Sequence, residues 1–412
     1  MTLLGRYADV AGPDVVEHLR QLAGLLRGAR VVHVNSTAWG GGVAEILTPL
    51  IPLSNELGLN ASWEVLEGTP DFFHCTKLMH NAVQGERVAP DSRGLRVYEE
   101  TNARNAERLA PTLREADFVF VHDPQPAALI HHLPERGGRW IWRCHIDASR
   151  PDPRVWRYLG EYVAGYDASI FSLPAFVRQL PHPCYVIPPA IDPLSDKNRD
   201  LPEEEVNAIC ERMGLDMARP RVVQISRFDR FKDPVGVIAA YRLAKRFAPE
   251  LQLVLAGGGA ADDPEAAAVL ESVHEAAAGD PDIRIADLPP GAHVTVNALQ
   301  RGADIVLQKS LREGFGLTVT EGMWKGRPVI GGDTGGIRLQ VVDYHTGFLV
   351  NSPEGAALRI RYLLRNREQR LRMGEKAREF ARKGFLLTRQ LREYLTLMAA
   401  LKSGAGERIR LG

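Results

Sequence analysis

The sequence predicts two doubly wound α/β domains, each a parallel sheet covered by helices on both faces, facing one another across a cleft. Three observations carry this. Apolar runs of strand length alternate with longer amphipathic stretches, the pattern of parallel sheets with helical crossovers. The alternation falls into two series that meet near residue 190. A chain of 412 residues has the length of two or three domains.

The first series opens with VVHVN (31–35), followed by Gly40, Gly41 and Gly42 and then VAEILTPLIPLSNELG. Apolar residues at 43, 46, 47, 50, 51, 53 and 57 have helical spacing, and Pro49 and Pro52 are expected to kink that helix. Further strands are expected at 61–68, 117–123, 139–147 and 168–172, with CYVIPPAID (184–192) closing this half. After the polar stretch 196–205, strands are expected at 221–227, 251–258, 282–288, 304–310, 328–333 and 347–350. The last stretch of about 50 residues reads as helices alone. The expected division is therefore 1–190, 191–385, and a C-terminal helix at 386–412 that packs back on the first domain.

Composition narrows the partners. Fifty-one basic residues balance 51 acidic ones, which gives no reason to expect nucleic acid or an anionic membrane surface. No apolar run resembles a signal peptide or a membrane span, so a cytoplasmic location is expected. Cys75, Cys144, Cys184 and Cys210 form no CxxC pair, which favours buried thiols over disulfides or zinc.

In open parallel sheets, ligands bind beyond the carboxyl ends of the strands. Those ends carry Asn35, Asp123, His145 and Asp147 in the first series, and Arg227, Gly257 and Glu313 in the second. Glycines 40–42 lie between a strand and a helix, where they serve either as a tight turn or as an anion site at a helix N-terminus. They are not GxGxxG, and no acidic residue obviously ends the second strand, which disfavours a nicotinamide cofactor. Arg227 and Lys232 in ISRFDRFKD form either a solvated loop or a diphosphate clamp. In EGFGLTVTE, Glu313 suits a sugar hydroxyl. Phe315, Gly316 and Leu317 would present backbone N–H groups at a helix start, with Glu321 placed for ribose hydroxyls or simply on the helix surface. His145 is either structural or catalytic. Asp280-Pro-Asp282 precedes a strand and reads as a turn rather than a metal site. FFHCTKLMHN (72–81) reads as core packing or an acceptor pocket.

These residues resemble a known pattern. RFDRFKD followed by E-x7-E is similar to the signature of the family-4 retaining glycosyltransferases, which have the GT-B fold of two Rossmann-like domains. More narrowly, HVNSTAWGGGVAEIL, RCHIDAS, QISRFDRFKDP and EGFGLTVTEGMWKGRPVIG resemble the trehalose glycosyltransferring synthases. That resemblance implies transfer of glucose from NDP-glucose to free glucose, reversibly and with retention. It implies Gly41 and Gly42 at the diphosphate and donor sugar, His145 at the sugar, and Arg227 and Lys232 on the diphosphate. Glu313, Phe315, Gly316 and Leu317 would hold the glucose and phosphate, and Glu321 the ribose. Asn35, Trp39, Glu45 and Asp123 are the acceptor candidates. No tightly bound cofactor and no protein-bound metal are implied, with Mg²⁺ entering as the nucleotide's counter-ion. A homodimer is left open. The alternatives are a trehalose phosphorylase and a non-catalytic nucleotide-sugar-binding protein. Gly322 departs from the pattern, which usually has alanine there.

Overall fold

The computed structural model describes residues 2–38, 41–258 and 264–404. The chain divides into two compact units, Met1–Ala190 with Leu387–Gly412, and Ile191–Leu386.

The first unit is built on six strands: β1 (Arg30–Asn35), β2 (Asn60–Val65), β3 (Phe118–His122), β4 (Arg139–Arg143), β5 (Ala168–Phe171) and β6 (Cys184–Val186). All neighbours are parallel, in the order β2-β1-β3-β4-β5-β6. Every residue of β3 is buried, because a parallel sheet is covered on both faces and its central strands need no polar side. Trp140, Trp142, Phe120 and Phe171 are among the largest fully buried side chains. The helix Gly42–Glu56 runs unbroken past Pro49 and Pro52. Its buried stripe of Leu47, Leu50 and Leu53 holds it to the sheet, which offsets the hydrogen bonds the prolines cannot donate.

Strand β6 is much shorter than the apolar run around it. Pro188 and Pro189 end it, since neither can donate to a ladder. Their carbonyls are taken instead by the Arg389 guanidinium, each at 2.9 Å. Arg389 stands on the C-terminal helix Leu387–Ser403, where it pairs with Glu393.

The second unit has β7 (Arg221–Ile225), β8 (Gln252–Gly257), β9 (Ile283–Asp287), β10 (Ile305–Gln308), β11 (Val329–Gly332) and β12 (Gly347–Val350). They are again all parallel, ordered β12-β11-β10-β7-β8-β9. Its core runs through Val222, Leu253, Leu255, Ile305, Leu307, Ile330 and Phe348 under Val237, Tyr241, Ile360 and Leu363. Its two ends lie side by side, with Ile191 N–H donating to the Phe385 carbonyl at 2.9 Å.

In both sheets the chain reverses its direction of travel once. The reversals lie between β1 and β3 and between β7 and β10. Adjacent connections then leave in opposite directions and open a crevice at the carboxyl ends.

Close approach at that edge depends on glycine. A β-carbon on Gly257, at the end of β8, would lie 1.8 Å from the Ser226 carbonyl oxygen. Gly257→Ala is expected to destabilise the second unit by about 2–3 kcal/mol, read as a lower urea midpoint. An unchanged midpoint would contradict this packing.

Candidate active site

In the second unit, two loops leave the crevice, 226–233 after β7 and 309–316 after β10. The first is shaped by its aspartates. Asp229 accepts from Phe231 N–H at 2.7 Å and starts the 3₁₀ turn Arg230–Lys232. Asp233, at φ +50°, ends that turn and caps the helix Pro234–Lys245 through Gly236 N–H at 3.1 Å. Gln224 fixes the Lys232 carbonyl at 2.8 Å.

Three contacts join the two loops. Leu311 N–H donates to the Phe231 carbonyl at 2.7 Å. Lys309 pairs with Asp233. Lys232 Nζ lies 2.6 Å from Glu313 Oε2, with both side chains largely buried. Ser310 Oγ donates to the same carboxylate oxygen at 3.1 Å.

The Glu313 backbone is gripped from below. Gly335 lies so near that a β-carbon there would sit 1.6 Å from the Glu313 carbonyl oxygen, and one on Gly336 would meet Phe315 Cα at 2.4 Å. The Gln340 amide donates to the Phe315 carbonyl. Gly316, at φ +86°, then opens the helix Leu317–Trp324, and among the described residues no side chain caps it. Its first N–H groups therefore form a local positive end suited to an anion.

Glu321 is 1% exposed. It sits inside the helix packing, not on the surface, 3.5 Å from Gln300 Nε2 and 3.7 Å from Lys197 Nζ. One turn on, Lys325 is buried against Asn198 Oδ1 (2.9 Å) and Gln300 Oε1 (2.7 Å). Burial pushes its ammonium down to about 7, against the pull of Glu321. Arg227 stands apart, 63% exposed and 3.8 Å from Asp229.

In the first unit the rim residues are held by backbone. Asn35 Oδ1 accepts from Thr37 N–H at 2.8 Å. Gly41, at φ +141°, begins the helix Gly42–Glu56, with Glu45 in its first turn. Asp123 takes a left-handed φ of +65°. Its carboxylate accepts from His145 N–H at 2.7 Å and its carbonyl from Trp142 Nε1 at 3.0 Å. Burial drives its carboxyl up to about 7, opposed by the His145 N–H and the charge of Arg143. The Asp147 carboxylate is turned to Ser149 N–H at 2.9 Å. Trp39 and Gly40 lie outside the described residues.

Two other motifs have structural work. Asp280 and Asp282 bind Lys245, at 3.3 and 2.6 Å, and Asp282 also binds Arg219 at 2.7 Å. In 72–81, Phe72, Cys75 and Met79 are core residues. All four cysteines are unpaired, and Cys184 alone is partly exposed. Ser310, Lys309 and Gln340 serve the second unit's site, and Arg143, His122 and His33 lie near Asp123 and in line with His145 in the first, yet none of them was singled out in sequence, although His33 and Arg143 open two of the quoted stretches. For the histidines a cue existed, since VVHVN and FVFVH each place one near a strand's carboxyl end.

Two doubly wound domains are the architecture of the GT-B glycosyltransferases, and one of them carries a cation–carboxylate pair and an uncapped helix start at its switch point. A family model described as "Trehalose synthase, N-terminal domain" matches residues 33–178, and one described as "Glycosyl transferases group 1" matches residues 207–380. The chain is 43% identical to the trehalose synthase of Pyrococcus horikoshii over 96% of its own length and 95% of that protein. It is 30% identical to a trehalose phosphorylase of Pleurotus pulmonarius, over 86% of this chain but 55% of that one. Among solved structures, a sucrose-phosphate synthase from Thermosynechococcus elongatus shares the fold, with a TM-score of 0.72 and 18% identity over 92% of this chain and all of that one. The chain belongs to the trehalose synthase family, and with it to the glycosyltransferases of trehalose metabolism. Among the described residues, no helix is long and apolar enough to cross a membrane.

The buried lysine makes a stability prediction. In the unfolded chain a lysine keeps its proton to about pH 10.4, whereas folded Lys325 loses it near 7. Between these values the unfolded state binds more protons, so stability gains from rising pH. The thermal midpoint of the native protein minus that of Lys325→Met should grow from pH 6 to pH 9. A constant difference would rule out a desolvated ammonium.

Proposed function

We propose that the protein moves glucose from a nucleoside-diphosphate-glucose to free glucose, reversibly, giving α,α-1,1-linked trehalose. The Lys232–Glu313 pair beside the Gly316 helix start carries this reading. An ammonium has three donors, so Lys232 can keep Glu313 and still bind a phosphate oxygen. With the helix N–H groups it would hold the charge that grows as the diphosphate leaves. Arg227, exposed on the same loop, would close on the diphosphate from solvent.

Glu313 would bind glucose hydroxyls. Its Oε2 is committed to Lys232 and Ser310, and an ionised carboxylate keeps further lone pairs for a sugar. A carboxylate so tethered is a positioning group, not a nucleophile. The leaving phosphate can then take the acceptor's proton on the face it departs from, which retains configuration without a glycosyl-enzyme. Phe315, Gly316 and Leu317 would frame the sugar and phosphate, and Glu321 the ribose. The first unit would meet the donor with Gly41, Gly42 and His145. Asn35, Trp39, Glu45 and Asp123 are its acceptor candidates. Mg²⁺ serves as the nucleotide's counter-ion, and the setting is the cytoplasm. The similarity to a fungal phosphorylase supports one rival, in which phosphate replaces the nucleotide. A demand for nucleoside diphosphate in trehalose breakdown separates the two.

Incubation of α-linked NDP-glucose with glucose should give α,α-1,1-trehalose by NMR. Lys232→Ala should cut turnover by roughly 10²–10³, and near-native turnover would remove the clamp. Glu313→Ala should slow transfer without inverting the linkage. A β-linked product, or an adduct on Glu313, would overturn the mechanism.

A further inference from the structure

Three imidazoles form one hydrogen-bonded file across adjacent strands of the first unit. His33 Nδ1, on β1, lies 2.9 Å from His122 Nε2 at the end of β3. His122 Nδ1 lies 2.9 Å from His145 Nε2, just past β4. The rings are stacked, with centroids 5.3 and 5.2 Å apart. His33 and His122 are buried, while His145 is partly exposed at the rim. At the inner end, His33 stacks on Phe120 at 4.7 Å and on Tyr394 of the C-terminal helix at 6.3 Å.

A bond between two ring nitrogens needs one N–H and one lone pair, and a neutral imidazole carries one of each. The file therefore has two neutral arrangements. In one, His33 Nδ1–H donates to His122, and His122 Nδ1–H donates to His145, which leaves an N–H at His145 Nδ1. In the other, His145 Nε2–H donates to His122, and His122 Nε2–H donates to His33, which leaves a lone pair at His145 Nδ1. All three rings share one tautomer in either case.

The surroundings keep the file neutral. Burial drives His33 down to about 3. His122 and His145 are lowered first by burial, with the Arg143 charge acting in the same direction. Charged groups near the file include Arg143 on β4 and Asp123 after β3, and Arg389 with Glu393 stand on the helix that carries Tyr394.

We propose that His33 and His122 are positioning residues for His145, fixing whether its Nδ1 offers a donor or an acceptor to a sugar hydroxyl. The sugar part rests on the reading of His145 given above. Protein labelled with ¹⁵N-histidine reports each ring's tautomer through long-range ¹H–¹⁵N correlations. Wild type should show His33, His122 and His145 in the same neutral tautomer at pH 7. Opposite tautomers, or a protonated ring among them, overturn the file. His33→Phe, which keeps a ring against Phe120 and Tyr394, should turn His145 into a mixture of tautomers. It should lower kcat by about 10- to 100-fold and change the donor KM little. His33→Asn, which restores a donor and acceptor near Nδ1, should recover a single tautomer and most of kcat. An unchanged His145 spectrum in His33→Phe overturns the coupling, and if that variant does not fold, the wild-type tautomers decide alone. Native turnover in His145→Ala would instead overturn the placement of His145 at the sugar, whatever the spectra show.

Discussion

The Lys232–Glu313 ion pair sets the geometry of the second unit's switch point. It spans the two loops that leave in opposite directions from β7 and β10, at 2.6 Å and largely out of water. Such a pair adds little net stability, because desolvation offsets much of the attraction. Its contribution is placement. Each loop is first shaped by its own backbone: the Asp229 turn fixes Lys232, while Gly335 and Gly336 press against the Glu313 and Phe315 main chain. The two side chains then meet with few rotamers left to lose. A charge held this way is already oriented before any ligand arrives.

The fold was legible because its cause is local and periodic. Val31–Asn35, Phe118–His122 and Ile305–Gln308 are short apolar runs between amphipathic stretches, and parallel sheets covered on both faces are built from such runs. The errors lie at strand ends. CYVIPPAID is expected to close the first half, and within it the strand stops at Val186, before Pro188 and Pro189, whose carbonyls a guanidinium some 200 residues away takes. Periodicity does not report such a partner.

The candidate sites were legible by residue type and less so by environment. Glu313 stands out in sequence beside Gly314 in a loop after a strand, and Lys232 as a second cation five residues after Arg227. Nothing in the sequence says that Ser310 shares Glu313's oxygen or that Lys309 crosses to Asp233. Glu321 is the sharper case. Helical numbering alone allows a surface position, and only the packing of Gln300, Lys197 and Lys325 shows it turned inward. Asp123 likewise reads as an open rim carboxylate. Its left-handed backbone instead turns the carboxylate onto the His145 N–H, so it shapes the loop that carries the histidine.

Both units hold buried charge, and both pair some of it. The second pairs Lys232 with Glu313, Lys309 with Asp233, and Lys245 with Asp280 and Asp282, and the first pairs Arg389 with Glu393. The first buries Arg143 completely, with Nε and Nη1 lacking partners among the described residues. An unpaired buried cation is costly, and its field reaches what lies near it. Burial first, and that field with it, lowers His122 and His145, and the field restrains the rise of Asp123. Neutral imidazoles can pass donor and acceptor polarity along a file, whereas an imidazolium, a donor at both nitrogens, would end it. Burial, with that charge acting in the same direction on His122 and His145, is therefore what keeps the histidine file neutral and able to transmit.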